Sequence, residues 1–167
     1  MQQMDRSVKR LAAAAGLVVA IVLCLAVGPL SRADAISKNS ISGAGAGGFA
    51  PGSAVGGVAL TRGTYGLGVL IFDDGTTHGD LAVQMYGSTA LGVARRVVVT
   101  GWITAGTVNA DGTATISGTC SLDLGDGTPP TGGLPLVANV GPAGIVLTVG
   151  GTLLPTLPVS DGWVLIQ

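Results

Sequence analysis

Four groups that could do acid–base chemistry are crowded into one short stretch: Asp73, Asp74, His78 and Asp80. One of these carboxylates could orient the imidazole as a general base toward a serine, in the manner of a Ser-His-Asp triad. No Gly-x-Ser-x-Gly elbow accompanies them, so no nucleophile is presented. His78 is the single histidine of the chain, which excludes every site that needs two imidazoles. In Thr76-Thr77-His78-Gly79-Asp80 it reads as a solvated turn residue, kept as a candidate ligand contact, and no catalytic residue is assigned.

The acidic turns raise the question of a cation. Calcium takes six to eight oxygens, often from Asp-x-Asp-x-Asp-Gly, and Asp123-x-x-Asp126-Gly127 lacks that spacing. Aspartate before glycine is also what tight turns select for conformational reasons. No metal and no cofactor is therefore expected. A glycosidase needs two opposed carboxyl groups; the chain has no glutamate, and each aspartate falls on a turn or a strand end.

Three further side chains stand out. Counting by twos from Val97 puts Trp102 on the face shared with Thr100 and Thr104, away from Val97, Val99, Ile103 and Ala105. An outward indole is a platform for stacking a sugar or a partner. The alternative is a bulge at Gly101 that turns Trp102 back into the core. Trp163 opens the last strand and is expected to seal one end of the core. Cys120 shares its face with Ala114 and Ile116 and reads as a small buried hydrophobe.

The elements that must position these residues have a period of two. Thr113, Thr115, Ser117 and Thr119 alternate with Ala114, Ile116, Gly118 and Cys120. Asn109-Ala110-Asp111-Gly112 separates this strand from the one holding Trp102, a hairpin signal in which Asp-Gly tolerates positive φ. Tyr65 to Phe72 and Leu81 to Tyr86 flank a second such turn at Asp73-Asp74-Gly75. Val140 and Ile145 flank Gly141-Pro142-Ala143-Gly144, and Asp161-Gly162 precedes Trp163 to Gln167. Short connections imply antiparallel neighbours, since parallel strands need long crossovers. After Ile36 nothing reads as an amphipathic helix.

The expected fold is all-β: an antiparallel meander of about seven or eight strands. Closure into a small barrel would remove its two free edges. The alternative is a two-sheet sandwich. Gly66 and Gly68 favour the barrel, as residues where a sheet bends sharply or another backbone comes close.

The order of features resembles small Gly/Thr-rich β-barrel modules of uncharacterised function in exported bacterial proteins. It runs from a Gly-rich first strand through an apolar strand ending in Asp-Asp-Gly and Val97-Val98-Val99-Thr100-Gly101 to Asp111-Gly112-Thr113-Ala114-Thr115-Ile116-Ser117-Gly118-Thr119. The likeness spans roughly residues 55 to 167. Such modules often carry Asp-x-Gly-x-Pro-Gly before the last strands, which Asp126-Gly127-Thr128-Pro129 matches in part. What the resemblance implies is an architecture and no activity.

The N-terminal end gives an address. Arg6, Lys9 and Arg10 lead into an uncharged run from Leu11 to Leu30, and Ala33-Asp34-Ala35 is a small-x-small cleavage pattern. Residues 1–35 are thus expected to be a helical signal peptide and 36–57 a flexible Gly/Ser/Ala-rich leader, with the β-domain at 58–167. The uncharged run is also long enough to cross a core of about 30 Å, so anchoring by residues 11–30 is the alternative, and the only expected membrane contact. Of the two cysteines, Cys24 falls in the signal segment and leaves Cys120 without an internal partner.

Composition closes off other classes. Charged residues make up 10% and apolar residues 47% of the chain, so burial must carry stability, at roughly 25 cal/mol per Å² of apolar area. Past residue 35, Lys38, Arg62, Arg95 and Arg96 face seven aspartates. This is the wrong sign for holding nucleic acid, which needs a basic stripe. The leading expectation is an exported, non-enzymatic β-domain with a structural or binding role at the cell surface, in the periplasm or in the medium. The alternatives are a barrel that holds a small apolar ligand, or isomerises or cyclises one, and a carbohydrate-binding module. Its partner would be an apolar ligand, a glycan or another surface protein, with Trp102 and His78 as the ligand contacts.

Overall fold

The computed structural model describes residues 36–167. The expected signal peptide, its uncharged run and Cys24 lie outside them. Among the described residues no helix is long and apolar enough to cross a membrane. The chain forms strands Ser37–Gly48 (β1), Ala54–Val55 (β2), Val58–Phe72 (β3), Thr77–Thr89 (β4) and Ala94–Val108 (β5). It continues through Ala114–Asp123 (β6), Thr131–Gly141 (β7), Gly144–Val149 (β8), Thr152–Leu153 (β9) and Asp161–Ile166 (β10).

These strands make one antiparallel sheet in the order β10-β1-β3-β4-β5-β6-β7-β8-β9, with β2 paired to β3 beside that path. The sheet curls into a half-barrel. A single hydrogen-bonded sheet replaces the two-sheet alternative. After β9 the chain stays beside β8, where Leu154 N–H donates to Leu147 O and Ile145 and Leu157 exchange bonds of 2.9 and 3.0 Å. It then crosses to β1, where Ser160 N–H donates to Ala46 O at 3.2 Å.

The stretch expected to be a flexible leader is instead β1 and β2. Backbone pairing on both sides holds β1 in place: Ile41 lies opposite Val69 of β3 and Ile166 of β10. Its inner positions are Ile41, Gly43, Gly45 and Gly47, so side-chain alternation carries almost no signal there. A Cβ at Gly43, Gly45 or Gly47 would meet the carbonyl oxygens of Trp163, Asp161 or Pro158. The ring of Tyr65 fills the space over Gly45 that side chains of β1 leave open.

Gly66 and Gly68 do not make the close backbone approach that is one of the two reasons expected for them. A Cβ on either would meet nothing within 4 Å, so neither marks a close approach of backbones. Both occupy outer positions of β3, between the buried Tyr65, Leu67 and Val69. They leave the outer surface bare where they stand.

Inside the curl, the buried side chains of the strands form one contiguous apolar cluster, from Ile41 and Val69 through Leu81, Val99, Ile103 and Ile116 to Leu136 and Ile145. Period two explains the choice, because along most of β3, β4, β5, β6 and β8 every second residue faces this cluster. The pattern in β6 holds throughout, with Ala114, Ile116 and Cys120 inward. In β5 it breaks once. The register shifts between Ile103 and Ala105, so Ala105 leaves the inner face and is exposed.

The hairpin turns share a build. In the β3–β4 turn Phe72 N–H donates to Thr76 O and Gly75 N–H to Phe72 O. The β5–β6 turn repeats both bonds between Asn109, Thr113 and Gly112. These are three-residue loops that end on a glycine at positive φ, 84° for Gly75 and 78° for Gly112. Among the described residues no non-glycine has positive φ, so the aspartates are not there for backbone freedom. Their role is to accept hydrogen bonds.

Candidate functional site on the outer face

The sheet brings the two expected ligand contacts to one surface. In β4 the inner positions are Thr77, Leu81, Val83 and Met85, which leaves His78 and Asp80 outward. In β5 the inner positions are Val97, Val99 and Ile103, which leaves Thr100 and Trp102 outward. Asp80 pairs with Trp102, and Trp102 pairs with Thr119 of β6. His78, two residues before Asp80, is the diagonal neighbour of Trp102, at a separation of about 7–8 Å that an aromatic side chain can span.

The alternative of a bulge at Gly101 does not occur. The ladder is regular through Gly101, and the shift comes only after Ile103. Trp102 therefore stays outside and is 63% exposed. Around it stand one carboxylate and several hydroxyls. A shallow hollow of about 390 Å³ is lined by Asp80, Thr100, Trp102, Thr119 and Ser121, with Gly133 at its rim. A second hollow, of about 540 Å³, lies over β3 between β1 and β4 and is lined by Ser40, Ser42, Gly68, Leu70 and His78. Gly68 lies directly opposite Asp80, so the bare surface at Gly68 runs up to the carboxylate that borders Trp102.

The geometry does not assemble a triad. The His78 ring meets the Phe72 ring edge-on, with centroids 6.0 Å apart. None of Asp73, Asp74 and Asp80, the carboxylates offered for a triad, is hydrogen-bonded to His78, and Asp74 is engaged elsewhere: its Oδ1 accepts the Thr76 hydroxyl at 2.6 Å and the Thr76 N–H at 2.8 Å. Those bonds hold the Asp74 carboxyl below the usual carboxylate range. Asp111 with Thr113 and Asp126 with Thr128 repeat the arrangement, with the same lowering from the threonine hydroxyl first and the N–H second. Among the described residues no three His, Cys, Asp or Glu side chains gather as a metal site.

The other expected residues divide. Cys120 is buried on the inner face, and burial pushes its thiol pKa up, which keeps it an unreactive thiol. Trp163 does not seal the core. It lies on the outer side of β10, 52% exposed, while Phe49, Tyr65 and the other apolar side chains fill the interior.

Sequence reasoning missed a second outer-face grouping. Arg62, Tyr86 and Arg96 are successive cross-strand neighbours on β3, β4 and β5. The Arg62 guanidinium carbon stands 5.1 Å from the centroid of the Tyr86 ring, within cation–π range. The β3 register shifts between Leu60 and Arg62. Counting by twos from Tyr65 and Leu67 gives the outward placement of Arg62; what alternation does not give is its pairing with Tyr86.

Compared with known proteins, the chain matches no family model, no curated protein and no solved structure.

Proposed function

We propose that this chain is an exported, non-enzymatic β-domain that binds a glycan on the outside of its sheet, with Trp102 as the stacking platform. The observation that carries this reading is the exposure of Trp102 in the middle of a strand, beside Asp80, Thr100 and Thr119. A large indole left in water costs stability that a core position would return. A flat aromatic ringed by a carboxylate and hydroxyls suits a sugar, whose C–H face stacks while its hydroxyls hydrogen-bond. His78 extends the same surface across β4.

The interior supports the outer-face reading over an internal apolar ligand. Small barrels either fill their interior with side chains or hold one small molecule, and here one contiguous cluster occupies the inside. The sheet stays an open half-barrel with β10 at one end of the strand order, and the 154–160 segment runs from β8 to β1. The export reading rests on Arg6, Lys9, Arg10, the uncharged run and Ala33-Asp34-Ala35. The absence of glutamate and the single histidine favour binding over catalysis.

Affinity electrophoresis of the purified protein through gels containing neutral and acidic polysaccharides tests the reading. The expected result is retardation by at least one polysaccharide, lost in Trp102→Ala and weakened in Asp80→Asn. Free migration in every gel, or retardation that Trp102→Ala leaves intact, overturns it.

A further inference from the structure

We infer that β10 pairs with β10 of a second copy of this chain, extending the sheet across a two-fold axis. β10 ends the strand order and pairs with β1 alone. Ser40 and Gln167 exchange both of their N–H···O bonds at 2.9 Å. By antiparallel alternation, Leu165 and Trp163 also turn their backbone groups toward β1, and Val164 and Ile166 turn theirs away. The outer rim of β10 is thus a row of unpaired donors and acceptors.

Natural edges of this kind are blunted by lysine, proline or inward-pointing charge. From Gly162 to Gln167 β10 has none of these. It carries instead two exposed apolar side chains on its outer side, Trp163 at 52% and Leu165 at 45%.

The strand is complementary to itself. Hydrogen bonding requires that residues facing the rim oppose each other, and a two-fold axis at Val164 satisfies this. Val164 then meets Val164 of the second copy, and Gly162 meets Ile166. Trp163 lies against Leu165 of the second copy in a non-hydrogen-bonded pair, the closer kind of cross-strand contact. The one charge at the strand's start, Asp161, comes opposite the Gln167 side chain, whose amide can donate to it. Such a contact is isologous and closes at two copies.

A rim of this length buries less than the roughly 1,200 Å² of a standard stable interface. The association is therefore weak and depends on concentration. Trp102 stands on β5, separated from β10 by β1, β3 and β4, so the pairing leaves that surface free.

Sedimentation velocity on the purified protein between about 10 µM and 1 mM tests the inference. The expected result is a shift from monomer to dimer as concentration rises. Val164→Pro removes an N–H that β1 does not use, and proline is tolerated on an edge strand; it should weaken the dimer by at least about tenfold with an unchanged circular dichroism spectrum. The double variant Trp163→Lys/Leu165→Lys keeps the backbone intact, places lysines opposite each other and should have the same effect. A monomer across the whole range, or association that neither variant weakens, overturns the inference.

Discussion

The Tyr65 hydroxyl donates to the carbonyl oxygen of Trp163 at 3.2 Å, tying β3 to β10 across the inner side of β1. The bond is possible because the residue between them, Gly45, has no side chain to obstruct the ring. Tyr65→Phe should cost about 1 kcal/mol of stability in urea denaturation, the worth of one such bond. Gly45→Ala should cost more, about 1–3 kcal/mol, since a Cβ there stands 2.8 Å from the Tyr65 hydroxyl and closer still to backbone. A neutral Gly45→Ala would mean that β1 does not run beneath Tyr65.

Trp102 and Ile103 are adjacent and face opposite ways. Ile103 is 0% exposed, and Ile103→Ala should destabilise by about 2–5 kcal/mol. Trp102→Ala should change stability by no more than about 0.5 kcal/mol, as surface substitutions do. The two variants measured side by side check the β5 register. A large cost at Trp102 would return it to the core.

Thr77 is buried with no hydrogen-bond partner for its hydroxyl. An unsatisfied buried group costs roughly 1–3 kcal/mol, and replacing it with an apolar group of the same shape removes that cost. Thr77→Val should therefore raise the denaturation midpoint. A fall on substitution would show that the hydroxyl has a partner in solution.

Asp74, Asp111 and Asp126 give up their protons more readily in the fold than in the unfolded chain, whose reference value is 3.8. Their ionised forms then contribute stability that is fully present above that value and is lost as the pH falls through the lower folded values. Denaturation midpoints should hold from neutral pH to about pH 5 and drop below about pH 4. The triple variant Asp74→Asn/Asp111→Asn/Asp126→Asn should flatten that drop. A wild-type midpoint that rises on acidification would contradict the sign.

Much of the sheet is legible wherever side chains alternate in size and polarity. β6 reads correctly from Ala114 to Cys120, and Trp102 is placed outward by counting from Val97. The β3–β4 and β5–β6 hairpins are legible because a glycine at positive φ ends each of those loops. The misreadings have physical causes. β1 is built from Ser, Gly and Ala, and its order comes from backbone pairing and from the close passage of β10, neither of which composition records. Ala105 changes face at a register shift that a fixed period cannot anticipate. Trp163 has the size of a core residue, and only its pairing with Ala44 of β1 settles that it faces out. The site is legible as Trp102 and His78 separately. Their placement on one face, two strand positions apart, depends on Asp80 falling opposite Trp102, a matter of strand register.

The pairing of β10 with β1 joins Ile166 to Ile41, which sets a timetable for the nascent polypeptide. Until residues beyond about 160 emerge, the glycine-rich β1 has only one of its two neighbours, β3. Contacts so distant along the chain form slowly. Order in the glycine-rich β1 is therefore contingent on β10, a strand more than a hundred residues away along the chain.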